Sequence, residues 1–254
     1  MPFSAFTHAA EAARAKGCHV FVQCLPKMGS TALSHSLHNA EHEVDMASAP
    51  RLMQQGLEPG FEALRMPWLQ QRRQQLGDRI DVCTSLFLIT APLKDQQLEQ
   101  HSHRRLLLNR SLRPWLRSIS NWSFHYAGHP LQAVWEQSYR HFVALSDPEL
   151  QRTMPPLRSD LRSVVRFWMP VWLVYQRWLE VTCPGWRDST HSLVSDDDLI
   201  PTQANQSQFS EEFLHRFDQL IPAMPDLTLQ PDQHQAFAAD LRHKLLARSA
   251  SSAD

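Results

Sequence analysis

The chain lacks most of the features that would assign it quickly. Its four cysteines, Cys18, Cys24, Cys83 and Cys183, show no Cys-x2-Cys spacing. That argues against a zinc ribbon or a disulfide scaffold and predicts reduced thiols, as in a cytoplasmic protein. Fourteen histidines include no His-Glu-x2-His, so no metal site is expected. Neither sign of charge dominates: 25 Lys+Arg stand against 26 Asp+Glu, a formal net charge of −1, which excludes broad coating of nucleic acid. No apolar run approaches the ~20 residues of a membrane span. Residues 1–17 lack the apolar centre of a secretory signal, and 3–16 read as an amphipathic opening helix. The Gly-x4-Gly-Lys-Ser/Thr loop of nucleoside-triphosphate enzymes is missing as well, which weighs against a nucleotide kinase. Internal repeats and Gly- or Ser-rich linkers are absent. With 254 residues, 43% of them hydrophobic, the chain can bury one substantial core, so a single domain over 1–254 is expected, with a frayed tail from about 249 to 254.

What is present is one dense segment, His19-Val20-Phe21-Val22-Gln23-Cys24-Leu25-Pro26-Lys27-Met28-Gly29-Ser30-Thr31-Ala32-Leu33. An apolar, strand-like run meets Pro-Lys-x-Gly-Ser-Thr and passes into helix-like sequence. Such a turn aims backbone N–H groups, two hydroxyls and an ammonium at one point, a seat for phosphate or sulfate. Gly29 lets the backbone approach the anion, and Lys27 adds a full charge.

Periodicity predicts strands at 20–25, 44–46, 82–90, 104–109 and 191–194. Helices are predicted at 30–39, over 51–75 with a break at 58–60, and at 114–124, 131–145, 161–180, 210–220 and 232–247. Strands alternating with helices imply an α/β fold: a central, mainly parallel sheet flanked by helices, with a helix-rich C-terminal half. Ligands of such sheets sit beyond the carboxyl ends of the strands. The residues following these strands, Lys27 to Thr31, Thr90 to Pro92 and Arg110, are therefore expected on one rim.

The segment Pro26-Lys27-Met28-Gly29-Ser30-Thr31 resembles the loop that grips the 5'-phosphosulfate in sulfotransferases using 3'-phosphoadenosine 5'-phosphosulfate (PAPS). A second family element is a strand ending in Arg, with a Ser eight residues later on the next helix, both holding the 3'-phosphate. Leu106-Leu107-Leu108-Asn109-Arg110 and Ser118 fit that spacing. A third, looser similarity is Asp196-Asp197-Asp198-Leu199. The resemblance implies a P-loop-like sulfotransferase fold. It implies PAPS as donor and PAP as product without a metal, contacts from Lys27, Met28, Gly29, Ser30, Thr31, Ala32, Arg110 and Ser118, and transfer to a hydroxyl or amine of a sugar, lipid or metabolite.

Three departures stand out. Ala32 replaces a Trp near the adenine, Thr90-Ala91 replaces a catalytic Thr-His pair, and a late Arg-Lys-Gly-x2-Gly loop is missing. They point to divergent bacterial or carbohydrate-directed relatives, or to a catalytically inactive relative that keeps the nucleotide or anion site.

Sulfuryl transfer needs a base for the acceptor, in-line positioning and cations at the bridging oxygen. By the resemblance, Lys27 supplies that cation. Glu43, beside His42, is the leading base, since carbohydrate-directed relatives use a Glu from that region; either residue can have a pKa suited to taking a proton. His125, Tyr126 and His129 are expected to line an acceptor pocket or simply to pack. Trp168, Trp172, Tyr175 and Trp178 recur at helical spacing as a buried stripe. Arg104, Arg105, Arg113 and Arg117 are expected to be solvated or snorkelling.

Overall fold

A computed structural model of the chain describes residues 3–43, 49–56, 58, 60–84, 86–158, 160–182, 192–194, 215, 217, 219 and 231–250. Contacts group into two compact units, Met1–Arg110 with Trp178–Ile200, and Ser111–Arg177 with Pro201–Asp254.

The first unit is α/β. Among its described residues, α1 (Ser4–Ala15) precedes β1 (His19–Gln23), α2 (Ser30–Ser36), β2 (Ala40–His42), α3 (Ala49–Gln55), α4 (Glu62–Leu76) and β3 (Ile80–Val82). Next come α5 (Leu86–Thr90), α6 (Asp95–Gln100) and β4 (His103–Arg110); β5 (Ser192–Val194) returns late in the chain. Four parallel strands lie in the order β2-β3-β1-β4, and β5 adds in parallel to the far end of β4. β1 is buried along its whole length, as befits a central parallel strand. Phe21 on β1 packs with Leu69, Cys83, Leu93 and Leu98.

Register decides where the site lies. Gln23, the last residue of β1, pairs with Leu107, so β4 runs three residues further before ending at Arg110. At ~3.3 Å per residue, that overhang carries Arg110 about 10 Å past the end of β1, alongside the turn that β1 feeds. The chain leaves β1 for β2 on one side of the sheet and leaves β4 for β5 on the other. Adjacent strands with diverging connections mark the crevice in which open α/β sheets bind ligands.

Two sequence expectations need correction here, the strand at 82–90 with Thr90 to Pro92 beyond its end, and a solvated Arg105. The apolar run at 82–90 is not one strand: β3 stops at Val82, and Leu86–Thr90 is helix α5. β3 pairs with β1 only at Phe21 and Val22, and β1 itself stops at Gln23, so a longer β3 would have no ladder partner there. Arg65 on α4 secures the helical alternative, donating through Nη1 to the carbonyls of Leu88 (3.3 Å) and Ile89 (2.6 Å) and so satisfying carbonyls that a helix end leaves open. Thr90 and Ala91 are consequently buried at a helix end and do not follow a strand. The second strand is Ala40–His42, whereas the expected 44–46 lies outside the described residues. Arg105 is buried, not solvated: it donates to Gln23 Oε1 at 3.1 Å and to the Leu93 carbonyl at 3.1 Å, ion-pairs with Asp95, and lies 5.3 Å from the Trp178 ring centre. Its register opposite Phe21 places it on the covered central sheet.

The described part of the second unit is helical: α7 (Leu112–His125), α8 (Leu131–Ser146), α9 (Pro148–Arg152), α10 (Leu161–Thr182, which the unit boundary divides after Arg177) and α11 (Pro231–Ala250). The α10 stripe is core: Trp168, Trp172 and Tyr175 are fully buried. Trp168 meets Trp115 and Tyr139 edge-on at 6.0 and 5.0 Å and donates to Ser123 Oγ at 2.9 Å, the partner a buried indole needs. Arg242 on α11 grips the cap of α9, donating to both oxygens of Asp147 (2.6 and 3.0 Å) and to Glu149 (3.0 Å). Helix α11 continues to Ala250, into the expected tail. Most of 210–220 lies outside the described residues.

Candidate anion-binding site

The turn after β1 is built from two left-handed residues. Lys27 has φ 64° and Gly29 φ 104°, and only glycine adopts such values without cost. Met28 between them is fully buried, so its side chain anchors the turn. Ala32 and Leu33 are buried on the inner face of α2, with Ser30 also buried and Thr31 half-buried at its start.

Arg110, buried at the end of β4, donates from Nη1 to the backbone carbonyl of Lys27 at 3.1 Å. The overhang of β4 thus delivers a second cation to the turn that carries the first. Burial, and then the proximity of Arg110, lower the pKa of the Lys27 ammonium. Lys27 has no carboxylate partner among the described residues. Lys27 and Arg110 together bring two positive charges to one turn, a favourable setting for a polyanion.

The third side of the site comes from β2. His42 Nε2 lies 3.3 Å from Ser30 Oγ, 3.4 Å from Thr31 Oγ1 and 4.0 Å from Glu43 Oε1. Burial lowers the pKa of His42, opposed by the Glu43 carboxylate and reinforced by His35 and Lys27. Glu43 turns the chain at φ 54°. Its Oε1 accepts from the Thr84 amide (3.0 Å) and hydroxyl (2.7 Å), and its Oε2 accepts from Cys83 Sγ at 3.3 Å. The Cys83 thiol is pushed up by burial and by Glu43, so it stays protonated as a donor.

The structure therefore brings together Lys27, Met28, Gly29, Ser30, Thr31, Ala32, His42, Glu43 and Arg110. Ser118 is half-buried on α7 in the second unit. Cys83 and Thr84, which fix Glu43, were not anticipated, because the run they open reads as strand. Matching the length of β3 to that of β1 would have placed a strand end there. Thr90 and Ala91 do not join the rim. Tyr126 and His129 pack around Trp135 (ring centres 5.6 and 6.2 Å apart), which meets Trp122 at 4.4 Å. They form an aromatic cluster of the second unit. Asp196, Asp197, Asp198 and Leu199 lie outside the described residues.

A separate cavity of about 230 Å³ lies between α3 and α4, where Arg51, Gln55, Trp68, Gln71 and Arg72 line it with two further residues. None of these belongs to the rim. Among the described residues no group of three or more His, Cys, Asp or Glu could hold a metal ion, and no helix is long and apolar enough to cross a membrane. No protein-family model matches this chain, and neither a curated protein nor a solved structure matches it significantly.

Proposed function

We propose that the chain is a sulfotransferase that binds PAPS at this rim and moves its sulfuryl group to a hydroxyl or amine of a sugar, lipid or small metabolite. The observation that carries the reading is the convergence of Lys27 and Arg110, from segments distant in sequence, on one turn. The loop from Lys27 to Thr31 takes the 5'-phosphosulfate, and Arg110 takes the 3'-phosphate through its planar fork.

The chemistry follows from charge and placement. The acceptor oxygen or nitrogen attacks sulfur and forms the new bond. The bond from sulfur to the bridging oxygen breaks, and its electron pair stays on the 5'-phosphate of PAP. Lys27 offsets the charge growing on that oxygen. The acceptor's proton goes to Glu43, which Thr84 and Cys83 hold in a fixed orientation.

One specific observation favours a second reading, a catalytically inactive relative that retains the anion site. The Glu43 carboxylate already accepts three hydrogen bonds, which occupy oxygen lone pairs that an incoming acceptor's proton would need. Incubation with sulfur-labelled PAPS and a broad acceptor panel decides between the two. Label transfer to any acceptor, lost in Lys27→Ala, supports the enzyme. PAP binding without transfer supports the silent relative, and absence of PAP binding refutes both.

A further inference from the structure

We propose that His42 is a proton-gated ligand of the anion: neutral in the empty site, it holds the Ser30 and Thr31 hydroxyls, and it takes up a proton and turns donor when the anion arrives. This rests on the reading of the rim as an anion site and adds a pH dependence to it.

Two hydroxyls point at one ring nitrogen, Ser30 Oγ and Thr31 Oγ1 at 3.3 and 3.4 Å from His42 Nε2. With the ring proton on Nδ1, Nε2 accepts from both. These are the same hydroxyls that the loop would offer to a phosphate or sulfate, so anion and imidazole compete for them. Once the hydroxyls turn to the anion, a neutral Nε2 loses both donors; a protonated Nε2 instead becomes a donor to the anion, with the Glu43 carboxylate 4.0 Å away as a countercharge.

The surrounding charges set the balance. Lys27 on the turn and His35 on α2 oppose protonation of His42, as does burial, while Glu43 favours it. Arg110 stands beyond Lys27, at its carbonyl. On neighbouring β3, Asp81 is committed to Arg72, and Cys83 donates to Glu43. Elsewhere on β2, Glu41 pairs with Arg79. Desolvation and the Lys27 ammonium therefore keep the imidazole neutral in the empty site, and a bound dianion reverses the sign of its immediate field. By linkage, anion affinity rises as pH falls through the His42 titration.

Inorganic sulfate is the probe, since it does not itself titrate near neutrality. The His42 ring resonances of the full chain, assigned against His42→Gln, are followed with pH in tens of millimolar sulfate and in chloride of equal ionic strength. Sulfate is expected to raise the His42 pKa by about one unit. The affinity, read from the backbone amides of the loop from Lys27 to Thr31, should rise as pH falls through that titration, by up to about tenfold. Sulfate that moves the loop amides but leaves the His42 titration unchanged overturns the proposal and spares the anion site. If no loop amide responds to sulfate at any pH, the anion site itself is wrong and the proposal falls with it.

Discussion

The Arg110 guanidinium donates to the main-chain carbonyl of Lys27 at 3.1 Å, across 83 positions of sequence. One cation thus fixes the peptide of the other, and the bond holds a residue whose φ of 64° the isolated chain disfavours. Arg110→Ala should remove both a charge for the ligand and this anchor. A charged donor to a carbonyl contributes about 1.5–3 kcal/mol, so urea unfolding is expected to show a loss of that order. Arg110→Lys should recover only part of it, because a point charge cannot reproduce the fork.

Lys27→Gly separates strain from function. Glycine tolerates the left-handed backbone that costs a side-chain-bearing residue about 1–2 kcal/mol, so the variant should be at least as stable as the parent. It should nonetheless lose most of the stabilisation by PAP, because the ammonium is gone. Thermal melting with and without PAP reads both effects in one experiment.

At the opposite end of the sheet, His19 and His103 face each other through their Nδ1 atoms at 3.1 Å, both buried. Burial first, then His103 and nearby arginines, lower the His19 pKa to about 3; burial, Arg73 and His101 lower that of His103 to about 4. Both values lie below the unfolded value of 6.5, so the unfolded chain binds more protons in acid. The pair's contribution to stability should be complete above pH 6.5 and be lost as pH falls toward 4 and then 3. Replacing both residues by Leu should flatten that acid limb in melting curves recorded against pH.

If Glu43 is the base, Glu43→Gln should keep PAP binding and lower sulfuryl transfer by about 10²-fold or more. Thr84→Val, which removes the 2.7 Å hydroxyl contact to the carboxylate, should lower kcat with little change in KM for PAPS. Steady-state kinetics on any active acceptor distinguish these positioning and catalytic effects.

Much of this architecture was legible in the residues. Residues 20–25 and 104–109 read as strands because both are short apolar runs bounded by turn chemistry, and they are β1 and β4 within a residue or two. The α10 stripe was readable because aromatic spacing of three and four recurs across several turns. The run at 82–90 was misread because a short apolar segment carries no period that separates strand from buried helix. What decided it was remote: the end of β1 and the Arg65 side chain on α4. The burial of Arg105 was hidden for the same reason, since its partners Gln23, Leu93 and Asp95 come from β1, the turn after α5, and α6. At the site, the loop chemistry and Arg110 were visible as motifs. The clasp on Glu43 was not, because Cys83 and Thr84 sit inside the misassigned run.

The most direct test of the account is calorimetric titration of PAP against adenosine 5'-monophosphate, with the wild-type chain and with Arg110→Ala. PAP should bind the wild type at least tenfold more tightly than the monophosphate, and Arg110→Ala should erase most of that advantage. Failure of PAP to bind, or a 3'-phosphate preference that survives unchanged without the Arg110 side chain, would contradict it.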